Sequence, residues 1–164
     1  MTTTIEHLDR VVEVTRELNQ WDEFPMLYVL TGDTKSIVVL GMDEPLPDVL
    51  PRLSAQVRAG TFAVWPKGET VTGVILVWEG WALLQPPEGS VRAREIAEFL
   101  ALGGRIEVLD ERIEVKIFFA VDAEGLYSRE YHREGEVTNI AADGGHHEGR
   151  LVDGIRDLFE ALSS

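Results

Sequence analysis

The run Val74-Ile75-Leu76-Val77 constrains this chain more than any other feature, because four consecutive apolar residues leave a strand no face for water. A strand of this kind sits in the middle of a sheet with a layer on each side. The surrounding stretch, residues 71–84, is expected to form the longest strand. It closes on Gln85-Pro86-Pro87-Glu88-Gly89, where two prolines end any ladder. Gly80, between Trp78-Glu79 and Trp81, is expected to mark a bulge or a close backbone approach.

Helical patterns supply the layers. Ile5, Leu8, Val11, Val12, Thr15 and Leu18 recur at helical spacing behind Thr4 as N-cap, and Asn19 with the following Trp-Asp-Glu-Phe-Pro segment ends them. Ser90 caps a second helix through Leu102, with Ile96, Phe99 and Leu100 inward and Gly103-Gly104 as the stop. The last helix has the most continuous apolar stripe, through Leu151, Val152, Ile155, Leu158, Phe159 and Leu162.

Two hairpins are expected. The first joins strands at 26–30 and 36–40 through a four- or five-residue loop around Gly32-Asp33-Thr34-Lys35. The second joins 113–121, where Ile113, Val115, Ile117, Phe119 and Val121 alternate, to 127–132. Its loop is Asp122-Ala123-Glu124-Gly125, with Gly125 supplying positive φ, and a further strand follows at 137–141. Three prolines and three acids mark 43–51 as a surface loop, with a short helix after it at 50–59, and 61–66 as a short edge strand. The order implies an α+β fold: a mainly antiparallel sheet packed by N-terminal, central and C-terminal helices, in a single domain over 1–164.

Composition removes several function classes. The chain has no cysteine, so disulfides, thiolate metal sites and cysteine nucleophiles are absent. Net charge is −14, with acids outnumbering bases about two to one both before and after residue 60. That field disfavours nucleic acids and anionic membranes as partners. An acidic nucleic-acid mimic stays open as a minor alternative. The longest apolar runs fall far short of a membrane span, and the start of the chain lacks a basic and apolar leader, so the cytoplasm is the expected location.

No phosphate loop and no nucleophile elbow occurs. His146-His147, beside Asp143 and Glu148, match metal ligands in number only, and no cofactor is expected. Glu79 stands between two tryptophans and is the least ordinary acid. Paired with His132 or His146, it supports an alternative reading as a hydrolase or other enzyme. Trp65, Trp78 and Trp81 cluster near strand ends and form the candidate surface for a protein partner, since tryptophan is enriched at recognition sites. The leading expectation is a small binding or adaptor domain without catalytic machinery, its oligomeric state open. A bulge at Gly80 would bring Trp78 and Trp81 to one face; a regular strand would separate them.

Trp21-Asp22, Pro25, Leu27-Tyr28, Leu30, Trp65-Pro66, Val71, Gly73, Leu76-Val77 and Glu79 form one group of marker residues. Arg112, Glu114-Val115, Gly125, Leu151-Val152, Gly154 and Leu158 form another. On these residues the chain resembles a family of uncharacterised proteins widespread in Actinobacteria, over residues 21–84 and 105–162. The resemblance implies a bacterial, cytoplasmic setting and a housekeeping or partner-binding role, and it carries over no catalytic residue.

Overall fold

Each strand is laid down by the alternation of its side chains, and together they form a six-stranded sheet in the order β2-β1-β3-β4-β5-β6 with every pairing antiparallel. The computed structural model describes residues 1–41, 43–133, 137–139 (main chain) and 149–164. The elements are α1 (Thr4–Leu18), β1 (Met26–Thr31), β2 (Thr34–Val39), α2 (Leu46–Arg58), β3 (Gly73–Leu83), α3 (Val91–Ala101), β4 (Arg112–Asp122), β5 (Leu126–His132), β6 (Val137–Asn139) and α4 (Gly149–Ser163). A 3-10 turn spans Ile106–Val108. The fold is α+β, with helices packed on both faces of the sheet.

The central run behaves as its composition demands. Val74 and Leu76 enter one core with Leu27, Val29, Val115, Phe119, Leu50, Ile155 and Leu158, beneath α2 and α4. Ile75 and Val77 enter a second core with Leu30, Phe118, Leu8, Val11 and Val12, beneath α1. Thr3, rather than Thr4, caps α1: its hydroxyl accepts from Glu6 N while the Glu6 carboxylate accepts from Thr3 N, a reciprocal capping box. Thr4 instead turns inward, so close to β3 that a Cβ on Gly73 would stand 2.9 Å from its hydroxyl. His7 is buried at the same end and donates from Nε2 to the Gly32 carbonyl at 2.7 Å; the acceptor fixes the tautomer.

Several expectations are corrected. The first hairpin turns through only Gly32 and Asp33, with Gly32 at φ 67, and β2 begins at Thr34. Residues 43–51 are not simply a loop: α2 starts at Leu46, and Val49, Leu50 and Leu53 are buried. Proline obscured this pattern, yet Pro45 is the N-cap and Pro47 falls in the first turn, where the missing N–H costs nothing. Pro51 lies inside the helix on its exposed side. Residues 61–66 form no strand. Phe62 and Trp65 reach the α2-side core from irregular chain, and three-residue spacing cannot put both on one face of a strand. No bulge occurs at Gly80, because β3 and β4 pair without a break from Gly73 opposite Asp122 to Leu83 opposite Arg112. Gly125 is not at positive φ; the loop is held by Asp122 Oδ1, which accepts from Glu124 N and Gly125 N.

Candidate functional site

Alternation along β3 and β4 places Glu79 and Trp81, with Arg112, Glu114 and Lys116, on the α1 face of the sheet but beyond the end of its apolar core. On β3 the apolar positions stop at Val77. On β4 the same face passes from Phe118 to Lys116, Glu114 and Arg112. Charge therefore replaces hydrocarbon where α1 no longer covers the sheet.

The chain leaving α1 closes one side of this area. Asn19, in the left-handed conformation that ends the helix, accepts through Oδ1 from Trp21 Nε1 at 3.1 Å and from the Tyr131 hydroxyl at 2.9 Å. Asp22 also has positive φ, 62°, and the turn aims two successive amides at one point. Asp22 N donates to Glu79 Oε1 at 2.8 Å and Glu23 N to Glu79 Oε2 at 3.2 Å. Glu79 thus fastens the 22–23 segment to β3. Its burial raises its carboxyl pKa above the ordinary value, a shift that nearby Lys116 and the two amides counter.

Lys116 is 2 % exposed. Its Nζ donates to Glu23 Oε2 at 2.8 Å, lies 3.8 Å from Glu79 and stands 5.6 Å from the Trp21 ring centre. Arg133 stacks over the same ring at 5.5 Å and donates to the Glu114 carboxylate. Farther along β3, Arg112 lies over the Trp81 ring at 5.4 Å. Indoles and cations stacked in this way attract through the ring quadrupole.

The three sequence-predicted tryptophans do not converge. Trp78 is 8 % exposed and meets Phe119 edge-on at 4.8 Å in the α2/α4 core, and Trp65 packs against that core from outside. Trp81 is 41 % exposed on the opposite face. Two small clefts flank it. One, of about 230 Å³, lies between Trp21, Asp22, Glu79 and Trp81; the other, of about 430 Å³, lies between Trp81, Asp110, Arg112 and Arg133. Neither Arg112 nor Arg133 was placed at a contact surface from sequence. The signal for Arg112 is the recurrence of charge at every second position of β4, on the face opposite Val115 and Ile117.

The sheet also separates Glu79 from His132. His132 pairs with Val115, whose side chain lies in the α2/α4 core, whereas Glu79 faces Lys116 on the α1 side. His132 Nε2 sits 3.0 Å from Glu130. His146 and His147 lie outside the described residues. Among the described residues no group of three or more histidines and carboxylates is arranged to hold a metal ion, and no helix is long and apolar enough to cross a membrane. A hollow of about 920 Å³ opens near Pro25, Pro45 and Leu151. Its lining residues Gly41, Asp43 and Gly149 border positions outside the described residues, and no chemistry is assigned to it. No protein family, curated protein or solved structure matches this chain.

Proposed function

We propose that the chain is a small cytoplasmic protein-binding domain without catalytic machinery, whose contact surface centres on Trp81 and Arg112. The supporting observation is a half-exposed indole held on a regular strand, stacked by a guanidinium and flanked by two clefts. Tryptophan and arginine dominate interface hot spots, since both combine large apolar area with directional polar groups. A rigid strand presents them at little ordering cost on binding. Trp65 and Trp78 support this surface from the core rather than forming it, while Trp21 and Arg133 extend it.

Glu79 is engaged by two amides and lies on the opposite face of the sheet from His132, which lends no support to that one pairing of the enzymatic alternative, while His146 lies outside the described residues. Affinity capture from the source cells tests the binding reading. A partner held by the unaltered chain should be lost with Trp81→Ala and weakened with Arg112→Ala, both variants remaining folded. Retention of the same partners by Trp81→Ala would overturn the surface.

A further inference from the structure

The β2 strand is one edge of the sheet, and its hydrogen-bonding pattern follows from the two-residue turn. Thr31 and Thr34 close that turn, so Thr34, Ser36 and Val38 direct their main-chain groups to β1. Leu40 N continues the series, donating to Pro25 O at 2.8 Å. Lys35, Ile37 and Val39 therefore direct their N–H and C=O groups outward, where no strand among the described residues receives them. The same three residues point their side chains to the α1 face. There α1 packs on β3, β4 and β5 and leaves Ile37 58 % and Val39 61 % exposed.

Natural edge strands are protected by proline, bulges or inward charge, because a bare edge is a template for pairing. This edge has no proline and pairs with β1 without a bulge, and Lys35 is its one charge. We infer that β2 of a second copy of this chain covers it, antiparallel across a twofold axis near Ile37, joining the two sheets into one.

The strand is suited to pairing with itself. A twofold interface sets each patch against its own copy. Centred on Ile37, the pairing places Ile37 opposite Ile37 and Lys35 opposite Val39 of the second copy. The outward N–H and C=O groups of all three residues then find partners. Ile37 and Val39 of both copies merge into one apolar strip. A net charge of −14 on each copy opposes association at long range, so added salt should strengthen the dimer by screening.

Sedimentation equilibrium on the full chain, at low and raised salt, tests this together with amide exchange at Ile37 and Val39. A dimer is expected that tightens with salt, with both amides slowing as concentration rises. Val39→Pro removes only an outward N–H and Ile37→Lys places a charge on the strip; each should give a monomer with an unchanged circular-dichroism spectrum. Should Val39→Pro fail to fold, Ile37→Lys alone decides. A monomer at every concentration would overturn the inference. So would a dimer that survives Ile37→Lys, one that weakens with salt, or edge amides that slow only when a different protein is added.

Discussion

The two faces of the sheet are built from the same strands and differ in almost everything else. Under α2 and α4 the face is apolar from Leu27 to Val121, and the two helices also pack on each other. Gly154 of α4 lies so near α2 that a Cβ there would stand 3.2 Å from Leu50 Cβ. Arg58 with Asp157 and Arg150 with Asp48 tie the pair at its rim. On the other face, among the described residues, α1 is the helix whose side chains join the core. A helix is about 10 Å across and strands repeat every ~4.8 Å, so one helix covers roughly two strands of a sheet. What α1 cannot reach is left either charged and aromatic, around Trp81, or bare, along β2. The difference separates what holds the fold from what is available to a partner.

The largest effect should come from the doubly covered face. Leu158→Ala, at a fully buried contact of α4 with the sheet, should cost about 3 kcal/mol. Denaturant unfolding would show it as a lower midpoint at unchanged slope. A loss well under ~1 kcal/mol would break the comparison by showing that α4 is not integral to the core.

Lys116→Met sharpens the comparison on the other face. It keeps the stem against Trp21 and removes the charge between Glu23 and Glu79. Leaving two part-buried carboxylates without their cation should cost about 2 kcal/mol, less than for a fully buried pair because both retain some water. Chemical denaturation of the variant near neutral pH measures it, and a stabilised variant would mean the cation is tolerated rather than required.

Trp81→Ala should change stability by less than about 1 kcal/mol, since the ring belongs to neither core. A larger loss in thermal unfolding would assign Trp81 to the fold instead of the contact surface.

The smallest expected effect is a slope. Burial raises the carboxyl pKa of Glu79 in the folded state, so the native protein holds that proton more tightly than the unfolded chain does. Its contribution is favourable below the ordinary carboxyl value of 4.5 and is lost as pH rises through the raised one. Glu79→Gln cannot titrate, so the difference in stability should move in favour of the variant as pH rises through this window. A difference that does not change with pH would show that the amides and Lys116 cancel the effect of burial.

Much of the fold was legible because periodicity is a local property. Val74–Val77 announced a twice-covered strand, Ser90 capped α3 as its sequence implies, and the Leu151–Leu162 stripe docked on the sheet. Helix α2 was half hidden because its prolines resemble loop residues until their positions in the first turn are known. The 61–66 segment misled because its apolar run from Phe62 to Trp65 does not reveal whether a sheet edge is free to receive it. The site was harder to read, since stacking of Arg112 on Trp81 depends on the register of β3 against β4. Trp21 reaches the face only through two left-handed residues that fold the chain back, a feature that sequence periodicity does not carry. Glu79 stood out correctly as unusual, although its geometry is that of a clamp on the 22–23 amides.

One paired experiment tests the separation of the two faces most directly: unfolding and partner capture measured side by side for Leu158→Ala and Trp81→Ala. The account predicts that Leu158→Ala loses stability yet retains the partner at temperatures where it stays folded, while Trp81→Ala keeps its stability and loses the partner. Variants that lose both properties together, or a Trp81→Ala chain that still captures what the unaltered chain captures, would contradict it.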